Sequence, residues 1–219
     1  MQKKVIKKMV VWSAIALGIA IVFLIVVYRP WALNWGATDD EINRSMPGDE
    51  IVQNSTFNAT RGVTIRAQPE EIWPWVVQIG YKKAGFYCYD WFDNDGIPSA
   101  ERIIPEYQNL KVGDLIPLSA VLYVKVTELN PNQSMLWVFP EGCGPWTNST
   151  WAWGLYQEDA QHTRLLTRLR VHTDSILPRI MLDFFEIVMM RKCMLGIKQR
   201  VERMAASSEP SVSDSSPGS

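Results

Sequence analysis

The chain has 219 residues, of which 47% are hydrophobic and 21% are charged. This composition excludes an intrinsically disordered chain and fits one globular domain with attached segments. The formal net charge is −1, but four lysines before residue 9 and Arg29 lie at the ends of the first apolar run, so residues 30–219 carry 17 basic and 23 acidic side chains, a net charge of −6. The sequence has no basic patch, so it does not support a nucleic-acid-binding function.

Residues 9–28 form a run of twenty residues without a charge, with Trp12 and Tyr28 near its ends. At 1.5 Å per residue this run spans about 30 Å, the thickness of a bilayer's hydrocarbon core, and it predicts a transmembrane helix. The alternative is a cleaved signal peptide, whose apolar core is usually shorter. The lysines in residues 1–8 predict a single-pass orientation at the cell membrane, with the N-terminus cytoplasmic and the following domain on the outer side.

Residues 29–58 are polar and acidic and are interpreted as a linker to a domain at 59–204. The alternation in 62–67 predicts a strand, and Gln68-Pro69-Glu70-Glu71 predicts the start of a helix that ends at Gly80. Residues 81–106 have no regular pattern. The period-2 segments that follow predict antiparallel strands at 121–128, 135–139, 151–157 and 163–171.

The last predicted element is a long helix at Ile176–Met204, which is apolar on nearly all sides. Asp183 and Glu186 interrupt this run, so it predicts a helix gripped by a soluble domain and not a second membrane span. Gly196, inside the helix, costs about 1 kcal/mol relative to Ala, either to permit a close approach or for no structural reason. The Ser-rich segment 205–219 predicts a disordered tail. Strand, helix, loop, antiparallel strands and a final helix together predict an α+β fold.

Three cysteines, Cys88, Cys143 and Cys193, are too few for a disulfide framework and lack metal-ligand spacing. Cys88 and Cys143 either pair in an exported domain or remain two free thiols, the latter being favoured. The sequence has no phosphate-binding glycine loop, dinucleotide fingerprint, nucleophile elbow or zinc-protease motif. No metal site, cofactor or catalytic residue is therefore predicted.

Four segments carry a resemblance to a known family: Ile65–Trp73, Tyr89–Asn94, Ser99–Glu106 and Leu110–Asp114. In them the chain resembles the SRPBCC superfamily, which includes START lipid-transfer domains and polyketide cyclases, and in particular an uncharacterised bacterial branch that also has an N-terminal membrane segment. The resemblance covers about residues 50–204. It implies a helix-grip fold, in which a curved antiparallel sheet of six or seven strands closes on the C-terminal helix around an apolar cavity.

The candidate ligand-binding residues are the apolar and aromatic side chains of two strands and the last helix, together with part of the long loop. They are Tyr89, Trp91, Arg102, Trp151, Trp153, Leu165, Leu169, Met181, Phe184, Phe185 and Val188. For each of them the alternative is ordinary core packing. Asp90, Asp93, Arg102 and Glu106 form a possible polar cluster, interpreted as a structural ion pair that holds the loop, as a group that orients a ligand, or as acid/base residues.

The leading hypothesis is a membrane-anchored domain that binds a hydrophobic small molecule or lipid, with residues 9–28 held in the bilayer. The alternatives are a cyclase- or hydrolase-like enzyme acting on a hydrophobic substrate in the same cavity through Asp90, Arg102 and Glu106, and an envelope module that binds a protein partner. A non-enzymatic binding protein is favoured, because no catalytic motif is present.

Overall fold

The first element of the computed structural model, which describes residues 2–208, is a long apolar helix. It consists of α1 (Gln2–Phe23), a first π-turn (Leu24–Tyr28) and α2 (Arg29–Leu33). The stretch Lys3–Leu33 is long and apolar enough to cross a membrane, and its side chains are exposed up to residue 27. The predicted span of residues 9–28 lies within it.

A segment that we call the strap, residues 34–56, connects this helix to the sheet and packs against the sheet's outer face. It contains α3 (Asp39–Asn43), whose N-terminus is closed by a capping box between Thr38 and Glu41. Met46 packs on the sheet side chains in a small second core, completed by Leu136, Ala152 and Leu166. The sequence predicts a linker at residues 29–58, but the structure shows a helix end and a packed strap there.

Six antiparallel strands form one sheet in the order β1-β6-β5-β4-β3-β2. They are β1 (Phe57–Ile65), β2 (Leu115–Pro117), β3 (Tyr123–Asn130), β4 (Ser134–Val138), β5 (Thr150–Gln157) and β6 (Thr163–Val171). The predicted strands at 121–128, 135–139, 151–157 and 163–171 are present with end shifts of a few residues. β1 is longer than predicted: it begins at Phe57, not at residue 62, and it pairs with β6 along its whole length.

The helix α4 (Pro69–Val77) follows β1, as predicted from the proline and glutamates that open it. A long loop then contains α5 (Asp90–Asp93) and a 3₁₀ turn (Pro105–Tyr107), and a second 3₁₀ turn (Gly144–Trp146) joins β4 to β5. The apolar side of α4 faces the core, where Ile72, Trp75 and Val76 are buried.

The C-terminal helix consists of α6 (Ile176–Met181), a second π-turn (Leu182–Glu186) and α7 (Ile187–Ser208). Its inner side fills the concave face of the sheet with buried apolar residues, namely Ile187, Met190, Met194, Ile197 and Val201. The α+β helix-grip arrangement expected from the resemblance is thus confirmed. The helix continues to Ser208, past the predicted start of the tail at 205, and residues 209–219 lie outside the described residues.

Candidate ligand-binding cavity

A cavity of about 250 Å³, open to solvent on one side, lies between the concave face of the sheet and the C-terminal helix. The helix supplies Leu182, Glu186, Met189, Met190 and Cys193, and the strands supply Trp151, Leu169 and Val171. The loops close the remaining sides with Phe86, Cys88, Asp93, Leu118, Leu122, Phe139 and Trp146. Two carboxylic acids and two thiols are the only titratable groups of this lining.

Three tryptophans on β4 and β5 form a cluster beside the cavity. The ring centroids of Trp137 and Trp151 are 5.2 Å apart in an edge-to-face contact, and those of Trp151 and Trp153 are 5.4 Å apart and nearly parallel. The indole N–H of Trp151 donates to the hydroxyl oxygen of Thr167 at 2.8 Å, which fixes this ring while its face remains part of the cavity wall. The cluster gives the cavity a rigid aromatic side.

Asp93 provides one polar end of the cavity. The thiol of Cys88 donates to its Oδ2 atom, while its Oδ1 atom is buried and has no hydrogen-bond partner within residues 2–208. Burial raises the pKa of the Asp93 carboxyl, although the hydrogen bond from Cys88 opposes this shift. A buried acceptor without a partner favours a bound group that can donate a hydrogen bond.

Glu186 is the second acid of the cavity wall, and it forms an ion pair with Arg61 of β1. Nη1 of Arg61 donates to Oε1 of Glu186 at 2.7 Å, and Nη2 lies 2.5 Å from Oε2. Burial raises the pKa of Glu186, and the guanidinium of Arg61 opposes that effect. Both oxygens of Glu186 lie beside the Arg61 guanidinium, although Oε2 is in ion-pair contact only and makes no hydrogen bond. The Oδ1 atom of Asp93 has neither a hydrogen-bond donor nor a cation beside it within residues 2–208.

The cysteine side chains at the cavity, Cys88 and Cys193, are protonated thiols. Burial raises the pKa of Cys88 and of Cys193, and nearby acids add to the effect. A thiolate is the form needed for nucleophilic attack or metal binding, so neither side chain is activated. Cys143 is also a free thiol in the structure. Among residues 2–208, no three His, Cys, Asp or Glu side chains are grouped so that they could hold a metal ion.

The structure brings three of the predicted site residues together at the cavity: Trp151, Leu169 and Asp93. Trp153 and Leu165 are buried in the core and do not reach the cavity surface. Tyr89 is half-buried, while Trp91 is 75% exposed and stacks edge-on against Phe92 outside the cavity.

The four predicted residues of the C-terminal helix require a correction, because Met181, Phe184, Phe185 and Val188 do not line the cavity. They are exposed, on the side of the helix that faces away from the sheet. The helix has two apolar sides, and the sequence does not indicate which one faces inward. The inner side belongs to Leu182, Glu186 and Met190.

The predicted polar cluster is not assembled either. Arg102 and Glu106 are exposed, and neither forms an ion pair with another described residue. The loop is held instead by uncharged groups: the Gln78 side chain donates to the Arg102 carbonyl oxygen at 3.2 Å and accepts from the Ile104 N–H at 2.9 Å. Asp90 accepts a hydrogen bond from Ser99. Within residues 2–208, no hydrogen bond or ion pair joins Asp90, Arg102 and Glu106 to one another.

Sequence reasoning missed several cavity residues, among them Phe86, Cys88, Leu122 and Glu186. The loop residues carry no periodicity that would assign a direction to their side chains. Glu186 had a signal, since it is an acid within an otherwise apolar helix and such a charge needs a partner. The partner, Arg61, is 125 positions away in the sequence.

A larger depression of about 640 Å³ lies elsewhere, on the outer face beside the strap. It is polar, and two of its charged groups, Glu41 and Arg164, are bound to each other at 2.7 Å. The apolar cavity is therefore the better candidate site, because small-molecule sites are mostly apolar with a few polar groups that fix orientation.

No protein-family model matches this chain, and no curated protein matches its sequence. Solved structures with a similar fold include a START superfamily protein from Mycobacterium smegmatis, at 16% identity and a TM-score of 0.44 over 67% of this chain and 97% of that one. The Aha1 dimer from Colwellia psychrerythraea has 17% identity and a TM-score of 0.45 over 67% and 97%. A protein from Thermobifida fusca has 13% identity and a TM-score of 0.48 over 67% and 94%.

Proposed function

We propose that this protein is a membrane-anchored binding protein for a compact hydrophobic molecule that carries one hydrogen-bond donor. The observation that carries the proposal is the apolar cavity of about 250 Å³ with the unpartnered Oδ1 atom of Asp93 in its wall. An apolar lining binds the body of the ligand, and the carboxyl group orients its polar end.

The cavity volume limits the size of the ligand. An engineered apolar cavity of about 150 Å³ binds benzene, and typical small-molecule pockets begin at about 300 Å³. A cavity of about 250 Å³ lies between these values. The ligand class that fits is therefore a bicyclic or short branched apolar molecule, or the end of a single lipid chain.

The N-terminal helix supports an anchor in the membrane. A run of twenty uncharged residues lies inside an exposed helix of 31 residues, with lysines before it. Anchoring raises the effective concentration of the domain near molecules dissolved in the bilayer. The excess of lysines before the apolar run supports an N-terminus in the cytoplasm and a domain on the outer side. A membrane-impermeant maleimide added to intact cells tests this orientation through labelling of Cys143, which is a partly exposed free thiol.

Binding is tested on the full chain in detergent with 1-naphthylamine, a fluorescent bicyclic probe whose one polar group is an amine donor. We expect saturable binding. It should be seen as quenching of the tryptophan fluorescence, because the cluster around Trp151 transfers energy to the bound probe. Cys193→Phe fills the cavity and should weaken probe binding by about tenfold or more, which corresponds to about 1.4 kcal/mol. Cys193→Ala leaves the cavity open and is the matched control.

Leu169→Phe is a second cavity-filling variant, on the opposite wall, for the case that Cys193→Phe perturbs folding. Near-ultraviolet circular dichroism of the tryptophans verifies that each variant is folded. Equal probe binding by the wild type, both filled variants and the Ala control would show that the probe partitions into detergent only, and it would contradict the proposal.

A further inference from the structure

The outer side of the C-terminal helix carries an exposed apolar surface, which meets the end of the N-terminal helix at Phe184. We call residues 176–188 of this side the outer helix face. Its exposed side chains recur at helical spacing and are Ile176, Leu177, Ile180, Met181, Phe184, Phe185 and Val188, between 37% and 70% exposed. Large exposed apolar patches of this kind mark an interaction surface for a protein, a ligand or a membrane.

The outer helix face meets the end of the predicted membrane span. The rings of Tyr28 and Phe184 are stacked, with centroids 6.0 Å apart and planes 14° apart. Nε of Arg29 donates to Oδ1 of Asp183 at 2.9 Å. The contact joins the first π-turn and the start of α2 to the second π-turn. The apolar surface therefore begins where the apolar run of residues 9–28 ends, and the two surfaces are continuous.

Both acids in this stretch are neutralised by arginines from elsewhere in the fold. Asp183 pairs with Arg29, and Glu186 turns inward to Arg61. Arg191 and Lys192 follow the face within one turn and are exposed. An exposed apolar side bordered by cations is the pattern of a helix that lies in a membrane interface, where the cations reach lipid phosphates.

The same stretch of helix has the cavity on its other side. Leu182, Glu186 and Met189 line the cavity, and each is the sequence neighbour of an exposed apolar residue of the outer helix face. One helical wall thus separates the cavity from the surface that continues the membrane span.

We propose that the outer helix face lies in the interfacial layer of the bilayer that residues 9–28 cross, which places the cavity wall beside the lipid. The inference rests on the anchor in the proposed function, because the anchor is what holds this side of the domain next to the bilayer.

The test is photo-cross-linking of the full chain in vesicles of phosphatidylcholine and phosphatidylglycerol. The photoreactive amino acid p-benzoyl-phenylalanine replaces Phe185, Leu177 or, as a control, Val112. Val112 is 60% exposed and precedes β2, at the sheet edge farthest from β1 and the anchor. After irradiation we expect a mass increase of one phospholipid with the photoreactive residue at position 185 or 177, and no such increase with it at position 112.

Two further measurements separate the possible failures. Adducts at 185 that persist in the Cys193→Phe background come from the bilayer and not from a lipid inside the cavity, so they support this inference even when probe binding fails. Extraction of the chain by alkaline carbonate would refute the anchor and the inference together. A chain that resists extraction but forms no lipid adduct at 185 and 177, or forms a cross-linked dimer there instead, overturns the inference alone.

Discussion

Arg61 of β1 and Glu186 of the second π-turn form a two-point ion pair, with Nη1 to Oε1 at 2.7 Å and Nη2 to Oε2 at 2.5 Å. Arg61 is 1% exposed, and its Nε also donates to the carbonyl oxygen of Ala32 at 2.8 Å. One side chain therefore links the end of the N-terminal helix, the sheet edge and the cavity wall.

The first prediction follows from the burial of this pair. Arg61→Ala leaves the Glu186 carboxylate without a partner, and loss of one member of a buried pair costs about 3–5 kcal/mol. Urea unfolding of the full chain in detergent, followed by tryptophan fluorescence, measures the change in the free energy of unfolding. Arg66→Ala, an exposed arginine just after β1, should change it by less than about 0.5 kcal/mol. Similar values for the two variants would contradict the role given to the pair.

Asp93 carries the second prediction. Its pKa is raised by burial from the ordinary value of 3.8, so the folded chain holds the proton more tightly than the unfolded chain. The associated stability is present at low pH and is lost as pH rises through the raised pKa. Asp93→Asn removes this titration. Measured from pH 3 upward, the free energy of unfolding of the variant should therefore rise relative to that of the wild type as pH increases.

The Asp93 result has a direct control in the neighbouring acid Asp95, which is exposed and bound to Lys82 at 3.0 Å. The pKa of Asp95 is lowered by its hydrogen bonds from Tyr81 and Lys82, so Asp95→Asn should not reproduce the gain at high pH. Parallel pH profiles for the wild type and Asp93→Asn would show that the carboxyl is not buried in the cavity wall.

Glu41 of the strap gives a third prediction with the opposite sign. Burial favours a higher pKa for this carboxyl, but two hydrogen bonds from Arg164 at 2.7 Å and one from the Thr38 N–H lower it below 4.5 overall. The stability that Glu41 contributes is therefore present above pH 4.5 and is lost as pH falls through the lowered pKa. Glu41→Gln should unfold more easily than the wild type at pH 7, with a gap that narrows in acid.

The measurement is thermal unfolding between pH 3 and pH 7. The matched control is Asp40→Asn, one position earlier in α3 and exposed. A gap of constant size across this pH range would contradict the ion pair with Arg164 as its cause.

The sheet was predictable from the sequence because most of its strands alternate apolar and polar residues, most clearly β6, in which Leu166 is the exception. In β6, Leu165, Leu169 and Val171 do face the core, and Arg164 and Arg168 do face the other way. The strap was not predictable. Its acids bind arginines more than a hundred positions away, as Asp49 binds Arg168 at 2.6 Å, and local pattern carries no information about such pairs.

The site was predictable only in part, and the reason is the direction of side chains on the C-terminal helix. The helical period of 3.6 residues gives two apolar sides, one with Phe185 and one with Met190. Hydrophobicity alone does not indicate which of the two sides faces the cavity. The N-terminal helix decides between them, because Tyr28 occupies the outer side by stacking on Phe184. The cavity volume likewise depends on how all the walls pack together, which no single segment encodes.

Gly196 carries the last prediction, because the structure favours one of the two explanations offered for this glycine. A Cβ atom there would overlap the carbonyl oxygen of Tyr87 and lie 2.8 Å from the Tyr87 Cβ. Tyr87 cannot easily retreat: its hydroxyl donates to the Trp75 carbonyl oxygen at 3.0 Å, and its backbone N–H donates to Ser99 at 2.9 Å. Gly196→Ala should therefore destabilise the chain by about 1–3 kcal/mol, even though Ala is the better helix former by about 1 kcal/mol. Gln199→Ala, at an exposed position of the same helix, should be close to neutral in the same urea titration. A Gly196→Ala variant as stable as the wild type would mean that α7 does not approach the Tyr87 backbone this closely.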